Sequence, residues 1–552
     1  MADIGYASLM LALIFAAYSA IVSIANVRRK SPALALSARN GLIATAVFYT
    51  LAIEAMLYAL ITDDFGIELV ASHSSHDLSL IYKFTALYSD KAGSLLFWGW
   101  LVSVFAVILV WSRRRGFKDI MPHSVGVLAV ILVFFLVLVT IVVNVFRENP
   151  HSLSDGLGLN PQLQNPGMAI HPPLLFLGYA GFAIVFAVGV GALIRGGEVD
   201  DWLSGIRRWA LFAWGALGLA NLAGAWWAHD VGGWGGYWAW DPVENAGLMP
   251  WLLGTALLHS VAAQRKRGYL KSWGIALIIF TFVFTLLSPF ITHGGFEESP
   301  LHGFADSPVP PYILSFMVIV LAGSFGLVFL RRGRGRIDYP ESLISREGAL
   351  FLTNIVLGLI TLLVLIGTAA PGIADALGRN VAIERDFFDW SAGPAFLFLV
   401  LLMGICPLLK WRKSSLDILR GSLLYPVLLS AVAAMGVLIA GIGNWYALAA
   451  LVCGFPLFGI AQELVRGARA RHRAGGQNYI KAFLSLIWHD RPRYGGFIVH
   501  IGIILITVGV IGSSLCSDDF MVNLIWAGGG GLLLGGAIAF WPDRVGTHVG
   551  AG

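Results

Sequence analysis

Two histidines lie inside apolar stretches long enough to cross a bilayer. His259 stands six residues before Arg265, and His500 stands seven after Arg493. At a helical rise of about 1.5 Å per residue, both lie roughly 9–11 Å in from the same charged boundary. An ionisable ring at that depth is costly and marks a candidate functional site. Two neutral imidazoles from different helices at one depth can take opposite faces of a haem iron. The same positions would equally serve two separate hydrogen-bonded helix contacts.

A second pair lies near the other side of the membrane. His171 sits in NPGMAIHPPLLFLGY, where the two following prolines are expected to end an extended segment and start a helix. His302 sits in EESPLHGFADSP. Between them in sequence runs WGGYWAWDPVENAGLMPW, residues 234–251. A packed core prefers Leu, Ile and Val, whereas a strip of Trp and Gly suits a large, flat, apolar ligand. A macrocycle laid on that strip can take one histidine on each face; the alternative is a pair of solvated loop histidines. His229 and His293 are weaker candidates on the same side. His73 and His76 form an HSSH spacing that lacks the further ligands a metal site needs. His123, His472, His489 and His548 are inner or terminal and receive no role.

The elements that must position these residues are transmembrane helices. The 552-residue chain is 57% apolar and only 12% charged, against about 25% charged in a typical soluble domain. About fifteen apolar windows reach spanning length. They lie at 4–27, 40–62, 92–111, 124–146, 173–194, 209–227, 246–263, 273–292, 311–330, 349–369, 393–410, 421–441, 444–465, 496–514 and 520–541. The expected fold is therefore an all-α polytopic membrane protein, one unit over 1–552 with no large soluble domain. The first window follows no basic segment or cleavage site and reads as a retained span.

Lys83, Lys91, Arg147, Arg379 and Arg385 stand on one side of this arrangement, and every other one of the 37 Lys and Arg residues stands on the opposite side. The positive-inside rule then puts the N-terminus on the periplasmic side and the C-terminus in the cytoplasm. The outer loops include the aromatic segment, 228–245. The longest inner loop, 466–495, is basic and suits the membrane surface. The net charge of +5 is spread through such loops and is no nucleic-acid footprint. Cys406, Cys453 and Cys516 form no CxxC pair, so thiol chemistry must come from a partner. Glu54 is the one clear acid within a span, and no mid-span lysine accompanies it, which argues against a proton pump.

WGGYWAWDPVENAGLMPWLLGTALLHS closely resembles the tryptophan-rich "WWD" signature of haem-handling proteins in cytochrome c maturation. LNPQLQNPGMAIHPPLLFLGYAGF (159–182), LMGICPLLKW (402–411) and DRPRYGGFIVHIGI (490–503) are similar to further motifs of the CcmF haem lyase family. The resemblance covers nearly the whole chain. It implies a protein of the bacterial or archaeal cytoplasmic (inner) membrane, working on its periplasmic side. It implies haem in transit held by His171 and His302 against the loop, with Trp234, Trp238 and Trp240 covering its face. Gly235 and Gly236 would let the backbone approach, with Tyr237 and Asp241 also at the site. Asp241, Glu244 and Asn245 would orient the loop or cap the next helix.

The resemblance further implies a resident haem b held by His259 and His500, a possible reductant of the transit haem. The activity implied is holocytochrome c synthase-type: attachment of haem vinyl groups to the CxxCH cysteines of apocytochrome c. The substrate thiols would be the nucleophiles, with no protein group as catalyst. The implied partners are a CcmE-type haem chaperone, apocytochrome c, CcmH/CcmI-type subunits that handle thiols and apocytochrome, a quinol, and membrane lipid. The competing expectations are a haem transporter without lyase activity and a scaffold of the maturation complex. The sequence departs from the family at Tyr237 and Ala239, at His293, and in a short link around 517–520 where relatives usually carry a periplasmic domain.

Overall fold

A computed structural model describes residues 1–112, 117–151, 153–196, 200–232, 237–267, 269–296, 307–331, 340–411, 416–476, 478–515 and 519–541. Helix dominates these residues. A bilayer offers no water to backbone N–H and C=O groups, so each span must satisfy them internally. The helices are α1 (Ala2–Arg29), α2 (Pro32–Ile61), α3 (Glu68–His73), α4 (Leu80–Ser89), α5 (Lys91–Trp111), α6 (Met121–Val137), α7 (Pro166–Arg195), α8 (Asp200–Gly232), α9 (Pro242–Arg267) and α10 (Lys271–Thr292). There follow α11 (Pro310–Leu330), α12 (Arg346–Ala376), α13 (Arg385–Ser391), α14 (Gly393–Ile405), α15 (Leu416–Ile439), α16 (Asn444–Gly475), α17 (Tyr479–His489), α18 (Arg491–Leu515) and α19 (Asp519–Phe540).

Among the described residues, 14 helices are long and apolar enough to cross a membrane. The fifteenth expected window, 209–227, is α8. It has the length, but its tryptophans, glycines and Asn221 lower its mean hydropathy. It is nonetheless central, packed between α7 and α9 and touched by α19. The close pair α15 and α16 are two separate helices, as their sequence suggests. The boundaries of the basic inner loop differ from expectation. Helix α16 continues through the arginine-rich run to Gly475, and α17 occupies much of the remainder. Arg and Ala are strong helix formers, so nothing stops α16 at the apolar boundary.

Apolar side chains from Leu9 to Leu532 form one continuous buried cluster. Two prolines inside helices show how the backbone stays satisfied. Pro173 has no N–H for the Ala169 carbonyl, and the Tyr88 hydroxyl donates to that oxygen at 3.1 Å. Pro426 likewise frees the Ser422 carbonyl, which accepts from Gln462 Nε2 at 3.2 Å. Helices α18 and α19 meet along a seam of small residues. A Cβ at Gly502 would lie 2.6 Å from the Gly528 carbonyl oxygen, and one at Gly495 would lie 2.7 Å from that of Gly535. Only glycine permits this approach, which sets the position of α18 and of His500 upon it.

Candidate functional site

His259 and His500 come together. Their ring centroids are 6.3 Å apart and their planes lie within 24° of parallel. His259 Nδ1 donates to the Thr255 carbonyl, one turn earlier, at 2.9 Å. A carbonyl only accepts, so the proton is on Nδ1 and Nε2 keeps its lone pair. Thr255 is itself braced: Trp214 Nε1 donates to its hydroxyl at 2.7 Å, and the hydroxyl donates to the Trp251 carbonyl at 2.8 Å. Trp214 and Trp251 stack at 5.5 Å.

His500 Nδ1 is buried and has no hydrogen-bond partner among the described residues. Gly496, one turn before it on the same face, has no atom within 4 Å of where a Cβ would stand. Metal–imidazole bonds are about 2.0–2.1 Å in zinc sites. With about an ångström more from each nitrogen to its ring centre, one metal atom between two imidazoles needs ring centres roughly 6 Å apart. The observed separation, the available lone pair and the open space beside His500 fit a bis-imidazole haem site.

At the opposite end of α9, its N-terminus lies near the N-terminal end of α7 and the C-terminal end of α8. His171 is not preceded by an extended segment, as the prolines suggested. Helix α7 begins at Pro166, capped by Asn165, whose side chain accepts from Gly167 N–H at 2.7 Å. Pro172 and Pro173 lie within the helix, and the Tyr88 hydroxyl supplies the donor that Pro173 lacks. Burial pushes the Tyr88 phenol up to about 12, so it stays a donor. The His171 ring lies against α8, with Nδ1 donating to the Ala220 carbonyl at 2.8 Å. A Cβ at Gly224 would stand 2.6 Å from His171 Cε1, so glycine is needed there.

The aromatic segment is shorter than 228–245, because α8 runs on to Gly232 and α9 starts at Pro242. Trp234, Gly235 and Gly236 lie outside the described residues, as do His302 and Cys516. Tyr237 is turned inward, 1% exposed, and its hydroxyl donates to the Leu222 carbonyl at 2.9 Å. Trp238 and Trp240 meet edge to face at 6.1 Å. Trp240 has φ of 60°, a left-handed conformation that a tryptophan adopts only when its surroundings hold it.

The restraints on Trp240 are visible. Its carbonyl accepts from Asn245 Nδ2 at 3.0 Å, its ring stacks on Phe388 at 5.1 Å, and its N–H donates to Asp389. Asp241 Oδ1 accepts from Val243 N–H, and Glu244 Oε2 accepts from Ala239 and Asp241 N–H, a reciprocal cap on α9. Asn245 also donates to Thr368 Oγ1. Trp238 Nε1 and Glu244 Oε1 are buried with no partner among the described residues.

The weaker histidines resolve by contact. His229 lies in the last turn of α8, 6.0 Å from the Tyr237 ring. His293 is buried and donates from Nδ1 to the Pro289 carbonyl, and burial holds its imidazole below the ordinary range. His76 pairs with Asp63, which also binds Lys83. Among the described residues, no group of three or more His, Cys, Asp or Glu could hold a metal ion. Sequence reasoning missed Phe388, Asp389, Thr255, Gly496 and Gly224. The apolar FFDW run within an outer loop was a signal for the first two.

Comparison with known proteins places this geometry in a family. The family profile described as "Cytochrome C assembly protein" matches residues 88–294. The cytochrome c-type biogenesis protein CcmF of Pseudomonas fluorescens is 36% identical over 531 residues, covering 94% of this chain and 77% of that protein. CcmF of Escherichia coli K12 is 35% identical over 472 residues, covering 82% and 72%. A solved structure titled "Cytochrome c Heme Lyase CcmF" superposes with a TM-score of 0.74 at 27% identity, covering 92% of this chain and 76% of that one. The chain belongs to the CcmF family of cytochrome c-type biogenesis proteins.

Proposed function

We propose that this chain is the haem lyase of a cytochrome c maturation system. It works in a bacterial or archaeal cytoplasmic membrane, with the aromatic loop on the periplasmic side. The single observation that carries the reading is the presence on one helix, α9, of both a capped aromatic loop and His259 facing His500. The asymmetry of Lys and Arg supports the orientation.

In this reading haem in transit is the substrate. His171 and His302 ligate its iron, while Trp234, Trp238 and Trp240 cover its face above Gly235 and Gly236. The buried, unpartnered Trp238 N–H supports a ligand at that position. Tyr237 and Asp241 hold the loop in shape through Leu222 and Val243. Each apocytochrome thiol adds across one vinyl group. A sulfur–carbon bond forms at one vinyl carbon and the thiol hydrogen goes to the other, so nothing leaves and no net oxidation occurs. The chain contributes position rather than a nucleophile.

His259 and His500 hold a resident haem b. That group, when bound, supplies one-electron redox chemistry. Thr255 fixes the His259 tautomer so that Nε2 is available to iron. About 27 Å of helix separates Asp241 from His259, so the two sites stay distinct. The partners are a CcmE-type haem chaperone, apocytochrome c and CcmH/CcmI-type subunits. Helix α18 ends at Leu515 and α19 starts at Asp519, which leaves no room for a docking domain between them. The role of that domain is either absent or supplied by another chain.

The test is complementation of bacterial cells that lack their own lyase but retain the rest of the maturation machinery. Covalent haem on a reporter cytochrome is expected with the wild-type chain and at least a tenfold loss with His171→Ala. Haem that reaches the reporter but is released on denaturation would instead establish a delivery protein.

A further inference from the structure

A cavity of about 460 Å³ opens between α1, α6, α7 and α11, and none of His171, His259 and His500 lines it. Its size falls within the range of small-molecule sites. Val130, Val190, Phe316 and Val320 are among its apolar lining residues. Ile24 and Ile319, at its mouth, are 66% and 64% exposed, so it opens toward lipid rather than into the core. Its polar end is marked by His123, at the start of α6.

That end is basic. Lys30 follows the last residue of α1, Arg195 ends α7 and Arg331 follows α11. Arg195 and Lys30 both lie within electrostatic reach of His123. Arg331 donates to the Ile194 carbonyl at 2.9 Å, which ties the ends of α7 and α11 together beside the groove. Asp119 pairs with Arg195 at 3.0 Å. Lys30 has no ion-pair partner among the described residues. Ser23 Oγ, in the groove wall, is buried and likewise without a partner among them.

We propose that this groove is a binding site for one anionic phospholipid, with an acyl chain between α1 and α11 and the phosphate among Lys30, Arg195 and Arg331. Among the described residues, Lys30, Arg195 and Arg331 stand at this mouth and Asp119 offsets Arg195, a balance that favours an anionic head over a zwitterionic one. Basic pockets between helix ends hold anionic lipid heads in other membrane proteins, and each exposed cation there is worth about fivefold in affinity. An apolar groove with one basic mouth is an amphiphile's shape, and a soluble anion would leave the groove unfilled.

The full chain, purified in detergent, is offered equal amounts of phosphatidylglycerol and phosphatidylcholine and weighed intact by native mass spectrometry. Two variants accompany it. Lys30→Gln removes a cation, and Gly323→Leu fills the groove at a position with no atom within 4 Å of its Cβ. Wild type is expected to retain one phosphatidylglycerol with severalfold preference. Lys30→Gln should lower that preference about fivefold, and Gly323→Leu should lower retention of both lipids. Equal retention of the two lipids by wild type overturns the proposal. So does retention unchanged by Gly323→Leu, or a neutral isoprenoid as the species that co-purifies at this groove.

Discussion

The indole N–H of Trp240 donates to Asp389 Oδ1 at 2.8 Å, although 149 positions separate them in sequence. Arg385 Nε bonds the other carboxylate oxygen at 3.3 Å, and Phe388 stacks on the indole. The short helix α13 therefore holds the aromatic loop at Trp240, the one tryptophan with left-handed backbone among the described residues. Trp240 is anchored on one face by the Phe388 ring.

Asp389→Leu removes this anchor at an exposed site, where such a bond contributes about 1 kcal/mol. Covalent attachment of haem to a reporter cytochrome is expected to slow about fivefold, while the visible spectrum of the membrane haem stays unchanged. Asp389→Asn retains an acceptor and is expected to behave nearly as wild type. Initial rates of reporter maturation, read beside the spectrum, separate these outcomes.

The α18–α19 seam makes His500 sensitive to glycine. Gly502→Ala drives a methyl into the Gly528 carbonyl, at a cost of about 1–3 kcal/mol, and displaces the helix that carries His500. A lower melting temperature together with reduced haem content is expected. Gly496→Leu points instead into open space. It should leave the melting temperature near wild type and still lower haem content, because it fills the space beside the His500 ring. Thermal melts and pyridine haemochrome assays of both variants check the contrast.

Thr255→Val divides packing from ligation. It keeps the backbone carbonyl that accepts from His259 and removes the hydroxyl that accepts from Trp214. Stability should fall by about 1–3 kcal/mol, the cost of a buried donor left unpaired. The haem spectrum should persist with unchanged band positions.

Much of this was legible in the sequence, for physical reasons. Spanning length and the count of charges expose the helices, because a bilayer tolerates neither unpaired backbone nor buried charge. The similar spacing of His259 and His500 from basic boundaries, six and seven residues, foreshadowed their meeting, since helical rise converts residue number into depth. Helix α8 read as a span although its mean hydropathy is modest, because Trp interrupts an otherwise apolar pattern. What could not be read was tertiary. Nothing near Trp240 announces Asp389, and nothing near His171 announces that Gly224 lies beneath its ring. The glycines at 495, 502 and 509 repeat every seven residues, but that spacing names no partner helix until Gly528 and Gly535 are seen opposite. The proline pair after His171 misled, because the Tyr88 hydroxyl supplies from another helix the donor that Pro173 lacks.

The central claim is that His259 and His500 hold one haem between them. It is tested most directly by the pyridine haemochrome and reduced-minus-oxidised spectra of the purified chain, beside His259→Ala and His500→Ala. The account predicts one tightly bound b-type haem in the wild type and its loss from both variants. A wild-type protein without haem, or variants that keep a normal spectrum, would contradict it.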